Sequence, residues 1–256
     1  MEISLNGKVV LITGGGSGIG AETARLMASS GASVVVAGIP ATGAEAVAKE
    51  ISTAGGKAIA VSADISDSGQ VLGAVEAAVS EFGKLDILIA SAGIQMHRED
   101  RELHQLPESA WDRTHDVNYR GVMLACKHSL AQMVKQGTGG SIVIISSITA
   151  LRGTSTNVSY MSGKTGLLGL NRYIAVHYAD RGIRCNAVLP GALERTPDHG
   201  DHPDPDGRAR TLSNKIPLGR LGRPCDIAPT VVFLSSDIAG YATGGEFVVD
   251  GGVTVI

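Results

Sequence analysis

The chain reads as an α/β protein: a single doubly wound Rossmann-type domain over residues 1–256, built on a seven-stranded parallel sheet with helices on both faces. Three observations lead there. Seven short runs rich in β-branched residues alternate with longer alanine-rich stretches of helical period, the pattern of repeated βαβ units. The runs are apolar throughout and do not alternate, as expected of strands covered by helices on both sides. The composition, 43% hydrophobic and 18% charged with 34 glycines in 256 residues, suits a glycine-punctuated α/β protein.

The first run, "KVVLIT" (8–13), passes directly into "TGGGSGIG" (Thr13 to Gly20) and then into the helical "AETARLMASSG". Strand, glycine turn and helix in that order form a cradle for a pyrophosphate, because glycines let the backbone approach it and the helix start offers N–H groups and a favourable dipole. No Gly-Lys-Ser/Thr follows, so this is no γ-phosphate loop. The second run, "SVVVAG" (33–38), ends on Gly38 and Ile39. In many such folds an acidic side chain there reads the ribose hydroxyls, or an arginine accepts a 2′-phosphate; here neither is present, and 14–20 holds no basic residue. An unpaired phosphate dianion beside apolar groups is costly, so the reading leans to NAD over NADP. After the third run, "KAIAVS" (57–62), Asp64 either reaches an adenine edge or serves as a turn or helix-capping aspartate.

The remaining runs are "DILIAS" (86–91), "SIVIIS" (141–146), "IRCNAV" (183–188) and "EFVVD" (246–250). Between them, 115–137 and 160–182 read as long helices carrying Tyr119, Met123, Leu124, Leu167, Leu168 and Leu170. That is more apolar surface than one sheet face needs, and such patches mark an interface, most simply a twofold one. The segment 193–215 is polar and holds Pro197, Pro203 and Pro205, so it reads as a surface loop that closes as a lid over bound ligand.

Several function classes are excluded. A net charge of -3 offers no general attraction to nucleic acid or anionic membrane. No leader-like N-terminus and no membrane-length apolar run occur. Cys126, Cys185 and Cys225 are odd in number and lack CxxC spacing, so they read as reduced thiols of a cytoplasmic protein. His97, His199 and His202 lack metal-ligand spacing, and no metal site is expected.

The chemistry centres on "YMSGK". Residues four apart share a helix face, which sets the phenol of Tyr160 beside the ammonium of Lys164. A neighbouring cation favours the phenolate and lowers a pKa otherwise near 10; bringing it down to about 7 requires roughly 4 kcal/mol. Alone, the pair is a weak signal.

Together with the glycine loop, "ASAG", "VNYRG", "IISS" and "NAVLPG" in this order, it makes the chain resemble the short-chain dehydrogenase/reductase family over its full length. The family's Thr-Gly-x-x-x-Gly-x-Gly falls on Thr13, Gly14, Gly18 and Gly20. Its catalytic serine lies thirteen residues before the tyrosine, which selects Ser147 over Ser146, and its asparagine matches Asn118. The resemblance implies a catalytic set of Asn118, Ser147, Tyr160 and Lys164. The cofactor-binding set it implies is Gly14, Ser17, Gly18, Ile19, Gly20, Gly38, Asp64, Ile65, Ala92, Gly93, Pro190 and Gly191, with Tyr160 and Lys164. Tyr160 would exchange the proton of the substrate oxygen, and Ser147 would hydrogen-bond that oxygen. Lys164 would lower the tyrosine pKa and bind the nicotinamide ribose, while Asn118 would hold a water leading to solvent. A homotetramer is also implied.

Three departures from the family pattern stand out. Ala90, Ser91, Ala92 and Gly93 occupy the place of Asn-Asn-Ala-Gly, so a tie between strands must come from elsewhere. "PGALERTP" carries one extra residue, leaving either Thr196 or Arg195 at the carboxamide. The third is Gly38. The function expected is hydride transfer between a nicotinamide cofactor and a small secondary alcohol or ketone. Its competitors are a dinucleotide-sensing protein without chemistry and a reductase of carrier-bound ketoacyl groups. Ala131 and Val176, where the latter usually carry basic residues, weigh against it, and the close Tyr-Lys spacing weighs against enoyl reduction. Pocket positions by order in the fold are Gln95, Met96, Thr149, Leu151, Asn157 and the 193–215 loop.

Overall fold

A computed structural model describes residues 3–100, 102–153, 157–194 and 213–256. All seven expected runs are strands of one parallel sheet: β1 (Val9–Thr13), β2 (Ser33–Gly38), β3 (Lys57–Ser62), β4 (Ile87–Ala90), β5 (Gly140–Ile145), β6 (Ile183–Pro190) and β7 (Glu246–Val249). The order across the sheet is β3-β2-β1-β4-β5-β6-β7. The chain therefore works outward from β1 in one direction and resumes at β4 in the other, which opens a crevice beyond the carboxyl ends of β1 and β4.

Helices α1 (Gly18–Ser29), α2 (Ala41–Thr53), α3 (Ser68–Phe82), α4 (Glu108–His115), α5 (Val122–Gln136), α6 (Val158–His177) and α7 (Pro224–Ser235) cover the sheet. One core layer packs β-strand side chains such as Leu11, Leu88 and Ile142 against α3, α5 and α6. The other packs Val10, Ile12 and Val143 against α1, α2 and α7. Successive residues of β1 thus enter opposite layers, which is why the strand Val9–Thr13 contains no polar position before Thr13.

Two expectations about the helices change. The stretch 115–137 is not one regular helix: a π-helical turn over Asp116–Gly121 separates α4 from α5. The extra residue per turn lets Ile65 pack directly on Gly121, where a methyl would sit 2.7 Å from the isoleucine side chain. Of the six side chains expected to form an outer apolar face, Leu124, Leu167 and Leu168 are buried in the core. Met123 and Leu170 are half-covered against it, and Tyr119 is exposed. Met123 and Leu170 line a groove of about 370 Å³ together with Val134, Tyr173 and Arg181, and Val134, Tyr173 and Val176 are exposed on the outer side of α5 and α6. Most of the expected loop 193–215, with Arg195 and Thr196, lies outside the described residues; Leu193 forms a parallel bridge to Gly222.

Candidate active site

β1 ends in the glycine turn because the turn must pass within van der Waals distance of the loop that follows β4. Gly14 has φ +68, and a methyl there would lie 2.6 Å from the Cα of Ala92. Only glycine meets both demands. The helix that follows starts at Gly18 with Ser17 as its N-cap; the serine makes no side-chain cap bond and the first turn holds no acid. Its opening N–H groups therefore face the crevice edge without a carboxylate competitor, as a pyrophosphate requires. Ile19 packs on the core and Gly20 lies against the backbone of Gly14.

At the end of β2, a methyl on Gly38 would approach nothing closer than 3.8 Å, and Ile39 is 55% exposed. The position has room but no charge. Asp64 shapes the turn after β3: Oδ1 accepts from the N–H and hydroxyl of Ser66 at 2.9 and 2.7 Å, and Oδ2 pairs with Arg113 at 3.5 Å. The Ser66 hydroxyl bond, aided by the Arg113 guanidinium, holds its carboxyl below the usual range. Ile65 beside it is buried. Pro190 closes β6, and a methyl on Gly191 would collide with Asp250 at 2.6 Å.

The four expected catalytic residues meet beyond the ends of β4 and β5. A methyl added at Gly93 would come within 3.2 Å of Asn118 Oδ1 and 3.5 Å of Lys164 Nζ, so these three are direct neighbours. The Asn118 side chain is fully buried and clamps the loop after β4: Oδ1 accepts from Ile94 N at 2.7 Å and Nδ2 donates to Ile94 O at 2.8 Å. Each of the two amide ends makes one bond here, which leaves a second N–H and a second lone pair of the Asn118 carboxamide for a water. Between the strand ends themselves, Ser91 N donates to Thr13 O at 3.2 Å, a backbone tie beside Ala90.

The two serines divide their tasks. Ser146 donates to the Lys164 carbonyl at 2.9 Å and is structural, whereas the Ser147 hydroxyl reaches the phenol of Tyr160. Lys164 is 3% exposed; its ammonium donates to Ile145 O at 2.7 Å and lies 5.6 Å from the centre of the Tyr160 ring. Burial pushes its pKa down to about 8. The expectation of a phenol depressed by this lysine is reversed: burial pushes the Tyr160 pKa up, against hydrogen bonds with Gln95 and Ser147 that pull it down. Desolvation outweighs the cation because the ammonium lies over the ring and is engaged by a carbonyl.

Reading the sequence missed one residue of this site. Helix α6 begins after Asn157, which has φ 64 and makes no side-chain cap bond. The capping acceptor comes from Asp100, itself 3% exposed, whose carboxylate accepts from the N–H groups of Ser159 and Tyr160, each at 3.3 Å, and from the Ser159 hydroxyl. A cap supplied from 59 positions away leaves no local signal. His115 adds a second brace, contacting the Ser162 hydroxyl through Nε2 at 3.1 Å while stacked on Trp111.

Among the described residues no cluster of histidine, cysteine, aspartate or glutamate could hold a metal, and no helix is long and apolar enough to cross a membrane.

The chain is similar to known proteins over nearly its whole length. A family model described as enoyl-(acyl carrier protein) reductase matches residues 14–254. The chain is 42% identical to a cis-4-hydroxycyclohexanecarboxylate dehydrogenase of Sinomonas cyclohexanicum, with 97% of each chain covered. It is 40% identical to an L-rhamnose 1-dehydrogenase (NAD(P)(+)) of Azotobacter vinelandii, again over 97% of each. Its fold superposes on the crystal structure of a short-chain type dehydrogenase/reductase from Mycobacterium marinum with a TM-score of 0.90 and 32% identity, covering 99% of this chain and 97% of that one.

Proposed function

Because this chain belongs to the short-chain dehydrogenase/reductase family, we propose that Tyr160 exchanges the hydroxyl proton of a small cyclic secondary alcohol, with NAD preferred over NADP. The chain is an NAD(P)-dependent oxidoreductase acting on alcohol and ketone groups. The observation that carries the reading of its site is the convergence of the Ser147 and Tyr160 hydroxyls beside Lys164 and Gly93, at the mouth of the crevice framed by Gly14.

In the oxidising direction the phenolate of Tyr160 takes the proton of the substrate hydroxyl as the carbon–oxygen double bond forms. Ser147 donates a hydrogen bond to the same oxygen and fixes its position. An oxidised nicotinamide held by the Gly14–Gly20 turn and Lys164 would supply the hydride acceptor and a positive charge. Ketone reduction runs these transfers backwards, with Tyr160 giving its proton. Since burial raises the phenol, Tyr160 is protonated at neutral pH in the free chain and is ready as an acid. Alcohol oxidation therefore quickens as pH rises, because it needs the phenolate. Lys164 stands between the phenol and the Ile145 carbonyl, where it can orient a ribose, and Asn118 beside it would hold the water that leads to solvent.

The ring alcohol and the sugar named for the relatives support a hydroxylated cyclic substrate. The family model's description names an enoyl reductase; the four-residue spacing of Tyr160 and Lys164 favours carbonyl chemistry. The uncharged end of β2 at Gly38 and Ile39 supports NAD. The exposed Val134, Tyr173 and Val176, and the groove that the first two line with Met123 and Leu170, support a homotetramer paired through α5 and α6. The free thiols Cys126, Cys185 and Cys225 suit the cytoplasm.

The test is kcat/KM with NAD and with NADP at one pH over a panel of cyclic alcohols and sugars. Turnover of at least one, with NAD favoured, is expected. A tenfold preference for NADP overturns the cofactor choice, and no turnover at all overturns the function. Sedimentation as a monomer at micromolar concentration contradicts the tetramer.

A further inference from the structure

Gln95 touches the Tyr160 phenol and holds one end of its carboxamide in reserve. The Gln95 side chain lies beside the Tyr160 phenol and pulls its pKa down, and since Oε1 is without a partner it is the Nε2 end that faces the phenol. Its other atom, Oε1, is buried and has no hydrogen-bond partner among the described residues. The hydroxyl of Thr149 is in the same condition. Thr149 stands next to the same pair: its N–H donates to the Ser147 hydroxyl at 3.2 Å. Two unpartnered buried polar atoms thus belong to the two residues bonded to Tyr160 and Ser147. Buried polar groups of folded proteins are paired as a rule, and exceptions call for a function.

The geometry of a carboxamide limits what Oε1 can meet. The two terminal atoms are about 2.3 Å apart, so a donor to Oε1 lies close to the phenol oxygen. The reacting oxygen of a substrate occupies a hydrogen-bond length from that phenol. A hydroxyl on the neighbouring carbon lies one hydrogen-bond length from the reacting oxygen. That is the reach of Oε1, which accepts only and therefore selects a donor.

We propose that Gln95 Oε1 and the Thr149 hydroxyl form a subsite for a second hydroxyl on the carbon next to the reacting one, so that the substrates are vicinal diols and the corresponding α-hydroxy ketones. This rests on the alcohol/ketone reading above and narrows it. A mono-ol leaves Oε1 buried and unpaired throughout the reaction, whereas a vicinal diol donates to it. Loss of one such bond corresponds to about 10- to 100-fold in kcat/KM. Discrimination of this kind is strongest when a site's polar group would otherwise lack a partner.

The experiment compares 1,2-cyclohexanediol with cyclohexanol in the wild type, Gln95→Leu and Thr149→Val. Two quantities are read: kcat/KM with oxidised cofactor, and the dissociation constant of each alcohol from the enzyme loaded with reduced cofactor, by calorimetry. The wild type is expected to favour the diol at least tenfold in both, and Gln95→Leu to bring the ratio near one, whatever happens to its absolute rate. Thr149→Val should lower the ratio in part, and decides the matter if the leucine variant does not fold. A wild-type ratio near one, or a large ratio unchanged in both variants, overturns the proposal. If neither alcohol turns over, the function assigned above fails, while the ratio of dissociation constants still decides for or against the subsite.

Discussion

Lys164→Met should leave the protein as stable as the wild type or more so near pH 7 while removing activity. The lysine is 3% exposed, and burial moves its pKa from 10.5 to about 8. A displacement of that size corresponds to about 3 kcal/mol held against the folded state. Methionine follows the same unbranched path and removes the buried charge. It also removes the donor to the Ile145 carbonyl, which sets back about 1–3 kcal/mol. The balance is a variant equal to or up to about 2 kcal/mol more stable. Because the folded pKa lies below the unfolded one, the unfolded chain binds more protons between about pH 8 and 10.5, and wild-type stability rises through that window. The advantage of the variant should therefore shrink by about 1 kcal/mol between pH 7 and pH 9. Urea unfolding of both proteins at the two pH values, without cofactor, reads this directly. A variant more than about 2 kcal/mol less stable at pH 7, or a difference that does not change with pH, would refute the argument that Lys164 is a stability cost retained for function.

Two other perturbations act on the frame of the site. Asp100→Ala strips the cap from α6 and leaves the N–H groups of Ser159 and Tyr160 without their acceptor, so thermal unfolding should show a loss of about 1–3 kcal/mol. Its kcat should fall more than its cofactor affinity, and Asp100→Asn should recover part of both losses. Gly14→Ala introduces a methyl 2.6 Å from Ala92 Cα at φ +68, and should cost about 1–3 kcal/mol and abolish cofactor binding in a fluorescence titration. A variant that binds cofactor like the wild type would show that the turn need not approach the loop after β4 so closely.

What the sequence could reveal here follows from which forces are local. The strands are legible because a parallel sheet buried on both faces turns each strand into an unbroken apolar run, and "KVVLIT" or "SIVIIS" allow little else. The glycine turn is legible because Gly14 meets a backbone constraint that other residues fail. Helix faces are harder. Leu124, Leu167 and Leu168 lie at helical spacing whether they point to the sheet or away from it, and packing alone turns them inward, against the expectation of an outer face. The π-turn at 116–121 interrupts a stretch whose periodicity hardly changes across it. Tyr160 and Lys164 are one helical turn apart in any reading, yet the direction of the phenol shift depends on how much water the fold excludes. Asp100 is invisible to a local reading because the helix it caps begins far along the chain.

The central claim is that Tyr160 moves the proton, and Tyr160→Phe tests it most directly. The ring still fills its place over Lys164, and only the hydroxyl that meets Gln95 and Ser147 is lost. With an alcohol that the wild type oxidises, the appearance of reduced nicotinamide should slow by about 10²- to 10⁴-fold, on the order normally attributed to general acid/base catalysis, while the cofactor dissociation constant stays nearly unchanged. A variant that binds cofactor and keeps more than about a tenth of wild-type kcat would contradict the account.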